Sequence, residues 1–292
     1  MSKSILPEVI AAATNRRSFL KKMGAASAAV GAMSVGAAVP AEAQSTTEVD
    51  ILNFALNLEY LEAEFYTYAL DGTSITNYGI GIDGVANSPN PTSGGPAVGG
   101  KKVSFSNNLV FTEAIGRQIG SDERAHVKLL RQVLGAKAIA QPNINLNALG
   151  FGFGSENEFL KLARIFEDIG VTAYGGAAAM LTTPLVINYA ARILAVEAEH
   201  VSSIRTQIAR LNISTAPPLD GVDILPPPSG AQDQYLSVNV TDGLTSTRTP
   251  GQVLYLAYGM KANAGSGGFF PTGVNGAITM SSTAATPTPA NS

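Results

Sequence analysis

The sequence predicts an all-α protein built around a bundle of four long helices. Two observations carry this prediction: apolar residues recur at helical spacing in four segments of about 23–28 residues, and residues typical of helix ends bound each segment. Such segments span roughly 35–42 Å, which is long for an ordinary globular domain and normal for a four-helix bundle. A hydrophobic fraction of 45% supplies enough apolar side chains for the core.

The first two helices have recognisable ends. The first is predicted over about residues 48–70, with Thr47 as its N-cap and Gly72 just beyond its end. The second is predicted over about residues 112–134 and stops at Gly135. Glycine accepts the left-handed conformation that commonly follows the last helical residue, so both glycines mark a helix end.

The third and fourth helices are closely joined. Ser155 and Glu158 have the spacing of a capping box, which starts a third helix that runs to about Leu181. Pro184 suits the first turn of a fourth helix that runs to about Leu211. Because only about two residues separate these helices, they must be antiparallel neighbours.

The other two connections are long, and they complete a predicted four-helix bundle over residues 47–212. Residues 136–154 are numerous enough to span the length of a helix when extended, at about 3.3 Å per residue. The second and third helices can therefore run parallel, joined by a crossover. Residues 73–106 form a loop rich in Gly, Pro, Ser and Asn between the first two helices. Loops of this length are often functional.

An extension and a tail are predicted after the bundle. Residues 213–280 hold a Pro-rich stretch and then a short fifth helix, which Thr249 and Gln252 open as a capping box and which ends near Gly259. We expect this extension to pack on the bundle. Residues 281–292 consist only of Ser, Thr, Ala, Pro and Asn, and this low complexity predicts a flexible tail.

Residues 1–43 have the features of a twin-arginine export signal. Arg16 and Arg17 precede a weakly apolar stretch over residues 23–39, and an A-x-A pattern ends at Ala43, after which cleavage is predicted. The stretch is shorter and less apolar than the roughly 20 residues that a bilayer span needs. We therefore expect export to the periplasm or the extracellular space, with no stable membrane span after cleavage.

Composition excludes several classes of function. The chain has no Cys, which excludes disulfides, thiol catalysis and Cys-ligated metal sites. It has 19 basic and 22 acidic residues, and the signal holds five of the basic and two of the acidic ones, so cleavage shifts the formal net charge from −3 to −6. An acidic chain is a poor candidate for binding nucleic acid.

Both histidines of the chain lie three residues after a glutamate. Glu123 precedes His126 on the second predicted helix, and Glu197 precedes His200 on the fourth. Positions three apart on a helix face the same way, so each pair can act on one centre. A single pair of this kind is more often a surface feature than a metal site, and it is the repetition that points to function.

The first and third predicted helices carry a second matched pair. Glu59 and Tyr66 are seven residues apart on one, and Glu167 and Tyr174 are seven apart on the other, so each Glu shares a helix face with its Tyr. The order along the chain is Glu, Glu-x-x-His, Glu, Glu-x-x-His, which matches the known pattern of carboxylate-bridged dimetal bundles. Glu62 lies on the face of Glu59 and is a candidate further ligand or base.

Charge explains why such a pattern needs metal. Four carboxylates in an apolar interior cannot all stay ionised without cations, and two divalent ions would neutralise them. Two imidazoles with several carboxylates suit Fe or Mn better than Ca or structural Zn. Small side chains near the same face, Gly116, Gly120 and Ala163, would leave room for the ions.

At these residues the chain resembles the ferritin-like superfamily. The segment 56–66 (LNLEYLEAEFY) is similar to the first helix of the ferritin-like domain family that includes desiccation-related proteins, and segments 249–254 and 267–271 resemble the C-terminal part of that family. The resemblance covers roughly residues 47–278 and implies iron at six ligands: Glu59, Glu123, His126, Glu167, Glu197 and His200. The long loop and the extension differ from cage-forming ferritins.

Three functions fit these residues. A di-iron or di-manganese oxidoreductase would act on O₂ or peroxide, with Tyr66 or Tyr174 supplying an electron and Glu62 a base; with Mn it would disproportionate peroxide, as manganese catalases do. A non-catalytic envelope or stress protein would use the bundle as a scaffold. A metal-sequestering protein lies between the two. Ferritin-like bundles commonly pair, so a homodimer is also an expectation.

Overall fold

The computed structural model describes residues 46–84, 91–106 and 110–287, so the predicted export signal lies outside the described residues. Four long α-helices and a short fifth one account for most of the regular structure in this part of the chain. Their bounds are α1 Thr46–Asp71, α2 Val110–Leu134, α3 Glu156–Ala177, α4 Pro184–Arg210 and α5 Pro250–Ala257. The predicted all-α fold class is confirmed, and the third helix ends earlier than expected because a 3₁₀ turn, Ala178–Met180, follows it.

The two predicted capping boxes form, one of them only in part, whereas Thr47, the predicted N-cap of the first helix, lies within α1. Thr249 and Gln252 make both hydrogen bonds of a capping box at the start of α5. At α3 the Ser155 hydroxyl accepts from the Glu158 N–H at 3.2 Å. The Glu158 carboxylate instead accepts from two preceding glycine N–H groups, so the reciprocal half of that predicted box is replaced by a loop contact.

Contacts between side chains give the direction of each helix. Near opposite ends of the α1–α2 contact, Arg117 donates to Asp71 at 2.9 Å and Arg131 donates to Tyr60, so α1 and α2 are antiparallel. Helices α3 and α4 are antiparallel too, because only six residues separate them.

A second set of contacts fixes the remaining direction. Tyr66, late in α1, meets Glu167 in the middle of α3, and Tyr174, late in α3, meets Glu59 in the middle of α1, so α1 and α3 are antiparallel. Since α2 and α3 both run against α1, they run parallel to each other. The predicted crossover between α2 and α3 is therefore present.

The two long connections are joined to each other and to the C-terminal part. Strand β1, Ala97–Val98, from the α1–α2 loop pairs in parallel with β2, Ile144–Asn145, from the crossover. The Asn145 N–H donates to the Phe269 carbonyl at 2.8 Å. Three segments far apart in sequence thus meet beside the bundle.

Buried charges attach the residues after α4 to the bundle. Arg248 donates to Asp220 at 2.7 Å and to the Thr172 hydroxyl on α3 at 2.8 Å. Asp168 on α3 accepts from Arg205 on α4 at 2.9 Å and lies 2.6 Å from Arg164 Nε. Arg164 also forms an ion pair with Asp223 of the extension. Arg205 donates a hydrogen bond to the backbone carbonyl of Ile224, in the same segment.

The residues just after position 280 also make defined contacts. Ser281 Oγ donates to the Lys261 carbonyl at 2.6 Å, and the Gly221 N–H donates to the Ala285 carbonyl at 3.0 Å. Both Ser281 and Ala285 are buried. The first part of the predicted tail therefore lies against the extension. No helix in the described part of the chain has the length and apolarity needed to cross a bilayer.

We predict that Asp168→Ala destabilises the fold strongly. The substitution leaves the buried guanidinium groups of Arg164 and Arg205 without a shared carboxylate, and breaking a buried pair in this way costs about 3–5 kcal/mol. Glu113→Ala is the control, because it removes an exposed pair with Arg117 and should cost less than about 1 kcal/mol. Urea unfolding measures both, and equal losses would contradict the prediction.

Candidate metal centre

Four carboxylates meet in the interior, one from the middle of each long helix. Glu59 comes from α1, Glu123 from α2, Glu167 from α3 and Glu197 from α4. All four are at most 1% exposed. Because each lies on the inward face of its helix, the helical register alone brings them together.

Both histidines point Nδ1 into this group of carboxylates. His126 Nδ1 lies 3.2 Å from Glu59 Oε2, 3.4 Å from Glu123 Oε2 and 3.3 Å from Glu197 Oε1. His200 Nδ1 lies 3.0 Å from Glu123 Oε1 and 3.2 Å from Glu167 Oε2. The two ring centroids are 6.3 Å apart.

The six side chains form two overlapping groups of metal-binding type. In each group one ligand atom per residue lies within 4.8 Å of all the others. Both groups contain Glu123 and Glu197, and each adds one further Glu and one His. The two shared carboxylates have the placement of bridging ligands, and the others have that of terminal ligands. The groups are Glu59, Glu123, His126 and Glu197, and Glu123, Glu167, Glu197 and His200.

The hydrogen bonding of these atoms fits a dimetal site. Several buried ligand atoms have no hydrogen-bond partner among the described residues, although oppositely charged atoms lie near them. Buried polar atoms are normally hydrogen-bonded, and atoms that converge without such bonds are suited to a cation between them. The atoms are Glu59 Oε2, both carboxylate oxygens of Glu123 and of Glu197, and His126 Nδ1.

The two predicted tyrosines hold the terminal carboxylates. Tyr66 Oη on α1 donates to Glu167 Oε1 on α3 at 2.5 Å, and Tyr174 Oη on α3 donates to Glu59 Oε1 on α1. The two bonds are reciprocal, since each Tyr serves the Glu of the other helix. Each bond leaves the second oxygen of its carboxylate facing a histidine, His126 for Glu59 and His200 for Glu167.

Asp122 contributes a contact that sequence reasoning missed. Its Oδ2 lies 3.4 Å from His200 Nε2. A carboxylate on the outer ring nitrogen favours a proton there and leaves Nδ1 free for the centre, which is the usual second layer of a metal-bound histidine. In the sequence Asp122 looks like an ordinary exposed charge next to Glu123. Only the structure shows its contact with His200 on α4.

Glu62 is placed beside the centre by a glycine on the facing helix. A Cβ atom at Gly170 would lie 2.9 Å from Glu197 Oε2 and 3.3 Å from Glu62 Oε1. Gly170 therefore makes the room that was expected of Gly116 and Gly120. Those two glycines instead lie against aromatic side chains: Gly116 faces the ring of Phe159, and Gly120 faces the Cβ atom of Tyr66.

Burial changes the protonation of these groups in the metal-free chain. Burial, opposed by His126, raises the pKa of Glu59 to about 7, and burial together with Glu167 raises the pKa of Glu197 to about 8. Burial alone would lower the pKa of His126, but the Glu59 carboxylate and its neighbours outweigh this and raise it. In the metal-free chain, bound protons thus take the place of metal ions in reducing the negative charge of the centre.

The family comparison agrees with the fold and the centre. Residues 47–210 match the family described as "Ferritin-like domain". The match spans more than half of the chain and contains all six converging side chains. The chain therefore belongs to the ferritin-like domain family, and the resemblance inferred from sequence is confirmed.

Two named relatives are distant. The chain is 24% identical over 280 residues to "Ferritin-like catalase Nec2" of Nesocodon mauritianus, covering 79% of this chain and 84% of that protein. It is 28% identical over 177 residues to "Desiccation-related protein PCC13-62" of Craterostigma plantagineum, covering 54% of this chain and 52% of that protein. The chain thus spans most of one relative and about half of the other.

We predict that the metal-free chain loses stability as pH rises from about 5 to about 8. Glu59, Glu197 and His126 have pKa values above their ordinary ones, so the folded chain binds more protons than the unfolded chain, and deprotonation favours unfolding. Melting temperatures across this range measure the effect. Loading with Fe(II) or Mn(II) should release protons and remove most of the dependence, and a metal-free melting temperature that rises with pH would contradict this account.

Proposed function

We propose that this chain is an exported ferritin-like oxidoreductase that holds a carboxylate-bridged pair of iron ions and acts on peroxide or O₂. The observation that carries the proposal is the sharing of Glu123 and Glu197 between two Glu/His groups. A buried centre with two bridging carboxylates, and with one Glu and one His for each ion, is suited to metals that change oxidation state.

Peroxide is the preferred substrate within this proposal. The similarity to a protein named as a ferritin-like catalase supports it. When bound, a redox-active metal pair would supply and accept the two electrons by which two peroxide molecules become O₂ and two water molecules. Manganese is the alternative metal for that reaction.

The residues around the ions would orient ligands and move protons. Tyr66 and Tyr174 would hold Glu167 and Glu59 so that one oxygen of each faces an ion. Asp122 would keep the His200 proton on Nε2. Glu62, beside Glu197, would take a proton from the substrate and return it to the product, since a neighbouring carboxyl group can serve as base and then as acid.

A scaffold function is the second candidate. The similarity to a protein named as desiccation-related supports it, as does the low charged fraction of 14%. In that case the metal would stabilise the bundle, and a Glu59→Ala, His126→Ala double variant would keep its biological effect without metal. Metal sequestration without turnover would instead show metal binding and no peroxide consumption.

We predict that Glu197→Ala removes both ions and the activity, because Glu197 belongs to both groups. Glu199→Ala is the matched control, since Glu199 is an exposed residue of the same helix. Elemental analysis should find about two Fe or Mn per chain in the wild type and the control, and less than about one in Glu197→Ala. O₂ release from peroxide should fall at least about 100-fold with the metal.

The same samples separate the candidates. Release of one O₂ per two peroxide molecules supports the catalase-like reaction, whereas peroxide consumption that needs an added reductant, or rapid oxidation of Fe(II), supports peroxidase-like or ferroxidase-like chemistry. If the metal-loaded wild type is no faster than Glu197→Ala in all three assays, the redox proposal fails and the scaffold leads. Sedimentation of the loaded wild type checks the proposed homodimer.

Export by the twin-arginine route is part of the proposal and has its own test. Replacing the pair by Arg16→Lys and Arg17→Lys should keep the chain in the cytoplasm, because that route reads the two arginines. Cell fractionation and N-terminal sequencing measure the result. Lys21→Arg is a control that should be exported and cleaved after Ala43; equal export of all three chains would contradict this route.

A further inference from the structure

An apolar cavity of about 140 Å³ lies between α1, α3 and the C-terminal extension. Helix α1 contributes Leu58 and Leu61, α3 contributes Phe166 and Ile169, and α5 contributes Leu256 on the opposite wall. Among the described residues that line it, Glu62 alone has an ionisable side chain. The bundle and the extension therefore enclose a space that is apolar except at one point.

The polar point of the cavity adjoins the metal centre. Glu62 and Gly170 both line the cavity, and Gly170 is also where an added Cβ would approach Glu197 Oε2 to 2.9 Å. Glu62 is only 4% exposed. A molecule that filled the cavity would therefore end at Glu62, beside a carboxylate shared by both metal-binding groups.

The cavity also reaches the surface. Leu149, in the crossover between α2 and α3, is 38% exposed, and Met260, just after α5, is 49% exposed; both line the cavity. Apolar side chains at an opening admit an apolar molecule from solvent without a charged barrier. The cavity is thus a route from the surface to Glu62.

Water and ions are poor occupants of this space. A buried water needs two to four polar partners, and the lining offers one carboxyl group. Anions would meet the carboxylate-rich centre beyond Glu62, and a cation would lose its hydration against an apolar wall. Benzene, in contrast, binds a dry apolar cavity of about 150 Å³, which is close to this volume.

We propose that the cavity binds a small uncharged organic molecule with a body the size of a benzene ring and a hydroxyl group that donates to Glu62. The apolar side chains of α1, α3 and α5 would bury the ring, and the Glu62 carboxyl oxygen would accept the hydroxyl hydrogen bond. This inference goes beyond the proposed function, because binding depends on the cavity and on Glu62 and not on a bound metal or on peroxide.

The test compares phenol with toluene, which have the same number of heavy atoms and differ by the hydroxyl group. Both are titrated by calorimetry into the exported chain, with and without metal. Phenol should bind saturably and at least about tenfold more tightly than toluene, because toluene leaves the buried Glu62 carboxyl group unpaired. In Glu62→Leu this preference should disappear.

Substitutions at two lining residues, one buried and one exposed, check the position of the cavity. Ala257→Phe would fill the α5 wall, and Leu149→Trp would cover the exposed opening without disturbing the core. Each should weaken phenol binding at least about tenfold, whereas Leu244→Trp, at an exposed leucine away from the cavity, should leave it within about twofold.

Three results would overturn the proposal. The first is the lack of saturable phenol binding in the wild type, and the second is toluene binding as tight as that of phenol. The third is phenol binding that Leu149→Trp and folded Ala257→Phe leave unchanged. Each can occur whether or not the metal-loaded chain consumes peroxide, so failure of the cavity and failure of the redox proposal are distinguishable.

Discussion

The structure depends on one constraint: four carboxylates face one another in the interior of a helical bundle. Glu59, Glu123, Glu167 and Glu197 would repel one another in a medium of low polarity, and the two histidines supply at most two positive charges. The helices therefore need additional cations, either protons or metal ions, to close around them. The long helices, the reciprocal tyrosine bonds and the buried arginine contacts hold this unfavourable arrangement together.

The parts outside the bundle form part of the wall of the cavity that adjoins that centre. The crossover, the α1–α2 loop and the C-terminal extension meet where β1 pairs with β2 and Asn145 bonds to Phe269. This junction and α5 cover the side of the bundle between α1 and α3, and they leave an apolar passage that ends at Glu62. The wall of this passage that faces α1 and α3 thus comes from segments that contribute no ligand to the centre.

Sequence alone predicted the helices and the six converging side chains, because helical periodicity places residues on a face whatever the neighbouring helix contains. Glu59 and Glu167, or His126 and His200, could be recognised from spacing. Asp122 could not, because its role depends on contact with His200 from another helix.

The glycines show the same limit. Gly116 and Gly120 are small residues on the second helix, but their neighbours are Phe159 and Tyr66, and the glycine that makes room beside the carboxylates is Gly170 on α3. The Glu158 carboxylate likewise accepts hydrogen bonds from two glycine N–H groups of the preceding loop, a contact that helical periodicity does not predict. The periodicity of one helix does not predict which residues of another element it will contact.

The repeated spacing of Glu and Tyr makes α1 and α3 counterparts related by an approximate internal twofold axis, and one pair of positions breaks that symmetry. Glu62 lies three residues after Glu59, and Gly170 lies three residues after Glu167. One half of the bundle thus provides a carboxylate where the other provides only space, and the second accommodates the first. Two ions in such a centre would have matching ligands but unequal surroundings, which gives an otherwise duplicated site a distinct front and back.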